Sequence, residues 1–347
     1  MVVILIKQNS SLHFYSSFSL AHIYINIGGE HMSKKVLIFC DPGIDDTIAL
    51  LLAFFIDEIE IVGIVADYGN VPKEMSVQNA HFLKQKSRNR DMKIFGGSDR
   101  PLNGDPPAFF TNIHGKEGLG PIIPNEKLQN GEMENFFEVI PLIEQYKDEL
   151  IIVSLGRLTS LAVLFILCKN LMQQIKSYYV MGGAFLHPGN VTPISEANFY
   201  GDPIAANIVL QSTSNMYIYP LNVTQYSIVT PDMAEYIEAK GKASLVKPLF
   251  DYYYYGYYEK ILPQLKGCPF HDTIPILALL DNSMFTYYKS PITVMTESYA
   301  QGASIGDFRS LVGSNPFINR PSQQIAIDFD YNLFFKHFMS LMTGEQF

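Results

Sequence analysis

Tryptophan is absent from the 347 residues, and bases are in the minority, with 25 lysines and arginines against 34 aspartates and glutamates and a net charge of −9. Nucleic-acid binding depends on clustered Lys and Arg to meet phosphates, and no such cluster occurs. Cysteine is scarce as well. Cys40, Cys168 and Cys268 are far apart and odd in number, with no C-x-x-C pattern. That excludes a metal or redox motif of that kind, suits a reducing cytosol, and leaves each as a small semi-buried hydrophobe. No run of about eighteen apolar residues is present, so no membrane span is expected. The most apolar stretch, residues 150–167, is broken by Gly156 and Arg157 and reads as a buried strand followed by a helix. Pro-rich or Gly/Ser linkers and fixed-period repeats are missing too, which favours one domain.

What is present is a packed globular composition, 48% hydrophobic and 17% charged. Residues 35–39 (KVLIF) form a short apolar run ending in a turn, as a buried parallel strand does. Residues 47–55 read as an apolar helix, 59–65 as a second strand and 72–86 as a helix carrying Asn79. Further strands are expected at 149–153, 177–181 and 216–219, with helices between them. Beyond about residue 230 the pattern turns helical and aromatic, including DYYYYGYYEK at 251–260, before strand-like runs at 290–295 and 324–329. This alternation predicts an α/β fold, a largely parallel, Rossmann-like open sheet flanked by helices. Ligands of such sheets bind beyond the carboxyl ends of the strands. The loops 40–46, 66–70, 154–157 and 182–198 should therefore converge on one crevice.

Residues 1–31 differ from the rest. Gly28, Gly29, Glu30 and His31 precede Met32, and codons for Gly and Glu begin GG and GA, so the run matches a translated purine-rich ribosome-binding site. The expectation is a natural start at Met32 and a domain over 32–347. The competing expectation is a genuine extension, disordered or packed on an edge.

The sharpest feature is Asp41-Pro42-Gly43-Ile44-Asp45-Asp46. Three carboxylates in six residues repel one another unless a cation or partner neutralises them. Pro42 stiffens the loop and Gly43 is expected to let it turn tightly. Oxygen ligands without Cys or His favour Ca²⁺ or Mg²⁺ over zinc. The plainer alternative is capping, since acids at the start of a helix complement its dipole. His271-Asp272, ahead of another apolar helix, carries the same ambiguity. The loop from Asn112 to Gly120 holds His114 among glycines. Met181-Gly182-Gly183, Gly189-Asn190 and Glu196-Ala197-Asn198 follow one strand, and Asn and Glu suit hydroxyl recognition.

In this order the motifs resemble the nucleoside hydrolase family of the inosine–uridine-preferring type, from about residue 35 onward. The family's DxDxxxDD stands here as Phe39 to Asp46, GN as Gly69-Asn70, HGxxGLG as His114 to Gly120, and MGG, ExN and HD begin at Met181, Glu196 and His271. The resemblance implies hydrolysis of the N-glycosidic bond of ribonucleosides with a bound Ca²⁺, in a homodimer or homotetramer. It implies Asp41, Asp46, Asp272 and the backbone carbonyl of Leu155, in place of the usual threonine, as metal ligands. Asp41 would also take a proton from the attacking water, Asn70 would orient that water and Asp41, and His271 would help the leaving base depart. Asp45 would grip the ribose 2′-hydroxyl, with Asn190, Glu196 and Asn198 at other ribose positions and His114 counted with them. Such a reaction passes through an oxocarbenium-like state, which nearby carboxylates stabilise.

Phe39 departs from the family's first aspartate, and Asn222 from another common one. The expected effect of Phe39 is weaker metal binding or an altered rate, since polar groups behind a metal site commonly carry roughly 10–100-fold. The alternatives are a catalytically impaired relative that binds nucleosides or ribosides, and a phosphatase with an aspartyl nucleophile. The latter needs the carboxylate that Phe39 removes. The tyrosines at 252–258 read first as core and subunit-interface residues and second as a platform for a base.

Overall fold

Strand β1 (Lys34–Cys40) owes its place to its own alternation: Val36, Ile38 and Cys40 enter one apolar cluster, and Leu37 and Phe39 enter another on the opposite face of the sheet. Both sets are almost fully buried, as a parallel strand covered by helices on both faces requires. The computed structural model describes residues 33–124, 135–309 and 319–347. The expected extension over residues 1–31 lies outside them.

The remaining strands are β2 (Ile59–Ala66), β3 (Lys93–Gly96), β4 (Ile151–Ser154), β5 (Ser177–Met181), β6 (Met216–Tyr219), β7 (Ile228–Val229), β8 (Cys268–Pro269), β9 (Phe285–Val294), β10 (Ser304–Gly306) and β11 (Ser322–Phe329). Among the described residues nine of the eleven strands, β1 included, form one sheet in the order β10-β9-β11-β6-β5-β4-β1-β2-β3, and β7 and β8 form a separate ribbon. From β11 to β3 every pairing is parallel, while β9 runs antiparallel to β11 and β10 antiparallel to β9. The fold is thus α/β with a mixed, mostly parallel sheet, as the alternating pattern predicts. No helix among the described residues is long and apolar enough to cross a membrane.

The strand order reverses at β1. The chain moves from β1 to β2 and β3 on one side, then returns to β4, β5 and β6 on the other. A crevice opens beyond the carboxyl ends where order reverses. Here it lies between the end of β1, which leads into Asp41, and the end of β4, which leads into Leu155.

Short elements escape the sequence pattern. β3, β10 and the β7–β8 ribbon have two to four residues each, too few for a period to register. The tyrosine-rich segment is continuous helix from Val246 to Ile261, but its middle, Tyr254–Tyr258, winds as a π-helix. Such wide turns cost stability and concentrate at functional sites.

Candidate active site

The acidic loop reaches the crevice because β1 ends at Cys40 and the helix Ile44–Phe54 starts at once. Asp46 serves both readings of the motif. Its Oδ2 accepts the Gly43 N–H at 3.1 Å, a helix cap, and also the side-chain amide of Asn70 at 2.9 Å, while its Oδ1 accepts the Asp41 N–H at 3.3 Å. One oxygen of Asp45, Oδ1, is buried without a hydrogen-bond partner. Gly43 has an ordinary φ of −93°, so it is not there to turn the chain. It supplies room, since a Cβ would lie 2.6 Å from Asn70 Nδ2 and 2.7 Å from His114 Nδ1.

Asp41 is cradled by two other glycines. Any Cβ on Gly69 or Gly156 would overlap its carboxylate. Its Oδ2 accepts the Asn70 backbone N–H at 2.6 Å. The loop itself is pinned by Asn79, whose amide donates to Pro42 O at 2.9 Å and Glu117 O at 2.7 Å, tying it to the segment that carries His114.

One cavity, open at its mouth, gathers nearly all the expected residues: Asp41, Asp45, Asn70, His114, Leu155, Asn190, Glu196, Asn198, His271 and Asp272 line it. The exception is Asp46, fully buried just behind. Asp272 stands at the start of the helix Thr273–Leu280 but its carboxylate makes no cap hydrogen bond, so it is free for the cavity. Oxygens of Asp45, Asp46 and Asp272 lie within 4.8 Å of one another. This ring shares Asp46 and Asp272 with the expected ligand set and has Asp45 in place of Asp41.

Burial sets the electrostatics. It pushes Asp45 up to about 8, helped by the charge of Asp46. Asp41 is raised well above the usual range by burial and then by Asp46, and Asp272 by burial and then by Asp45, Asp46 and Asp41. Buried acids that resist ionisation, one of them with an orphaned oxygen, are the donor set a hard divalent cation fits.

The ribose-side residues hold one another. Glu196 caps the helix Ala197–Gly201 by accepting the N–H groups of Asn198 and Phe199 at 2.7 and 3.1 Å, and also accepts that of Gly183 at 2.8 Å. Burial raises it to about 7 against the pull of those donors. Asn198 Nδ2 donates to the Leu155 carbonyl at 2.7 Å, which leaves that oxygen a second lone pair.

An aromatic wall closes the other side. Tyr253 and Tyr257 share a face at α-helical spacing, and the π turn brings Tyr258 onto the same side, so all three line the cavity. Tyr253 and Tyr258 are also buried, so in these two a core role and a cavity role coincide, while Tyr255 is exposed. His114 lies 5.6 Å from the Tyr253 ring. Its Nδ1 accepts the Ile44 N–H at 3.0 Å, so the proton sits on Nε2 and the ring is neutral. Burial, reinforced by His271, lowers it to about 3. The 3.9 Å approach of that Nδ1 to Asp45 is therefore not an ion pair. His271 lies between Thr224, 3.0 Å from its Nδ1, and the Tyr258 hydroxyl, 3.4 Å from its Nε2. Burial lowers it to about 4, below the near-neutral value expected of a donor. Met181 and Ala197 from the strand-end motifs, with Phe110, Ile113 and Val191, complete the lining; single apolar residues in short segments gave no signal for the last three.

Phe39 packs in the apolar cluster with Leu37, Val65 and Phe95, 1% exposed. Its side chain belongs to a core and not to a polar shell around the acids.

The model of the inosine-uridine preferring nucleoside hydrolases matches residues 36–336. The chain belongs to that family. This nucleoside hydrolase is 32% identical to Uridine nucleosidase 1 of Arabidopsis thaliana over 304 residues, 86% of this chain and 89% of the relative. Among solved structures it is similar to the plant nucleoside hydrolase PpNRh1, with a TM-score of 0.85 and 25% identity over 90% of this chain and 99% of that one. It is also similar to a purine-preferring ribonucleoside hydrolase from Gardnerella vaginalis, with a TM-score of 0.81 and 27% identity over 90% and 98%.

Proposed function

We propose that this nucleoside hydrolase cleaves the N-glycosidic bond of ribonucleosides to ribose and free base, with Asp41 as the base and His271 assisting departure of the leaving group. The observation that carries the reading is the single cavity in which buried acids, a set of amide and carboxylate hydroxyl-binders, and an aromatic wall meet at the sheet's reversal point.

Asp45, Asp46 and Asp272, with Asp41 and the Leu155 carbonyl beside them, would hold a Ca²⁺ ion. That ion would neutralise the acids, fix the sugar's diol and acidify a coordinated water. Asp41 takes the proton of the attacking water, as a carboxylate held beside it can. The Asn70 N–H fixes its orientation. Asp45, Asn190, Glu196 and Asn198 hold the ribose hydroxyls, which places the reacting carbon against the water. The base lies along Phe110, Tyr253 and Tyr257, where stacking needs no tryptophan. His271 is neutral at pH 7, so it hydrogen-bonds the base first. Negative charge developing there favours the imidazolium, so the ring takes a proton from solvent and passes it to the base as the bond breaks, while Asp41 returns the proton of the water to solvent.

The test is release of free ribose from uridine, cytidine, inosine, adenosine and guanosine, with Ca²⁺ and after chelation. Ribose from at least one nucleoside, lost with chelator and restored by Ca²⁺, is expected. Ribose from none of them in the presence of Ca²⁺ overturns the reading.

A further inference from the structure

Asp41, Asp45, Asp46, Glu196 and Asp272 are all buried around one cavity. Among the described residues a single lysine or arginine is buried, Arg157, 4% exposed. It follows Gly156, against which the Asp41 carboxylate rests. Its guanidinium lies 4.7 Å from the centre of the Tyr68 ring, and Nη2 donates to Ala108 O at 2.6 Å. Its Nε presses on Gly201, where a Cβ would overlap it. Nη1 is buried and finds no partner among the described residues.

Burying a guanidinium with a donor unpaired is unfavourable unless its charge is answered nearby. Among the described residues no acid pairs with Arg157 directly, so the answering charge is the acidic cavity acting through a low-dielectric interior, where attraction persists beyond contact. Burial raises Glu196, and there the charge of Arg157 works in the opposite direction.

We propose that Arg157 is a resident counter-ion of the acidic cavity, one that lets the Asp41–Asp46 loop fold without a divalent cation and, by repulsion, weakens binding of that cation. The inference rests on the metal site of the proposed function. It separates cleanly from a packing role. If Arg157 only fills space, its loss disorders the floor of the cavity and calcium binding weakens. If it acts by charge, a neutral side chain of similar length costs the calcium-free protein stability while calcium binds more tightly.

The experiment uses the full chain stripped with EDTA, Ca²⁺ titration by calorimetry, and thermal unfolding followed by circular dichroism with EDTA and with Ca²⁺. Wild type is expected to unfold cooperatively in EDTA. Arg157→Met should bind Ca²⁺ about tenfold more tightly, and its Tm difference between the two conditions should widen. Arg157→Lys should keep the wild-type affinity. Arg157→Gln decides by the same measures should the Met variant not fold. The proposal is overturned if the neutral variants bind Ca²⁺ no more tightly than wild type, if their Tm falls equally with and without Ca²⁺, or if wild type is unfolded in EDTA. Wild type that folds in EDTA but takes up no Ca²⁺ overturns the metal reading itself, and this inference with it.

Discussion

Gly156 and Asp41 are in contact across the end of the sheet, with no room for a methyl group between the glycine Cα and the carboxylate. The catalytic assignment of Asp41 thus depends on a residue that itself carries no chemistry. Gly156→Ala should displace the carboxylate, and a misplacement of about 1 Å can cost roughly 10²-fold in turnover. Gly256→Ala is the control, since nothing lies within 4 Å of the Cβ it would gain. Turnover of both variants on the best nucleoside substrate checks this, and equal activities would show that Asp41 tolerates the shift.

Asp41 and His271 should fail in different ways. Asp41→Asn keeps the shape but removes the proton acceptor, so ribose release should vanish from every substrate, a nitrophenyl riboside included. His271→Ala should slow natural nucleosides by roughly the 10²–10⁴-fold of general acid catalysis. It should spare the nitrophenyl riboside, whose leaving group departs without a proton. Comparing the two variants on the two substrates measures it. Equal losses of both substrates in His271→Ala would remove its assigned role.

Much of this site is legible in the sequence because its residues sit at strand ends in a parallel sheet. Once β1, β4 and β5 are placed by their apolar runs, Asp41, Leu155 and Glu196 must converge. His271 and Asp272 follow the short β8 and were reached only through the family motif. Two other things were illegible for physical reasons. A π turn in Tyr254–Tyr258 leaves no mark on a segment where nearly every residue is tyrosine, so no periodicity shows which rings face the cavity. The space-filling role of Gly43 is likewise invisible, because it depends on Asn70 and His114 arriving from elsewhere in the chain.

Asp67 gives a pH prediction away from the acidic ring. Burial pushes it up to about 7, although the Ser160 hydroxyl and the Ser98 N–H donate to its Oδ1. Its Oδ2 is buried without a partner. The unfolded chain releases this proton near 3.8, so between about pH 4 and 7 the native state binds the proton and the unfolded state does not. Stability from this group therefore falls as pH rises through that window and levels off above it. Asp67→Asn keeps the acceptor for Ser98 and cannot ionise. Its Tm relative to wild type should climb by several degrees from pH 5 to pH 8. A difference that stays constant with pH would show that Asp67 is already ionised in the native state at pH 5.

The family's aspartate at position 39 invites a restoration experiment, and the structure gives its outcome. Phe39 is 1% exposed among Leu37, Val65 and Phe95, on the sheet face opposite Ile38 and Cys40. Its neighbours in the sheet are Val65 of β2 and Ser154 of β4. Phe39→Asp removes a large apolar side chain, which alone costs about 3–5 kcal/mol when such a ring is cut back. It also places a carboxylate among side chains that offer it few donors, adding a desolvation penalty unless it stays protonated. The variant should therefore be strongly destabilised, with more loss at pH 8 than at pH 5, and should gain no activity. Phe39→Leu, which keeps the core apolar, should lose far less stability and retain turnover. Urea unfolding at the two pH values together with ribose release decides the matter. A Phe39→Asp variant as stable as wild type and faster in turnover would show that this core has a polar role, and would favour an impaired starting enzyme.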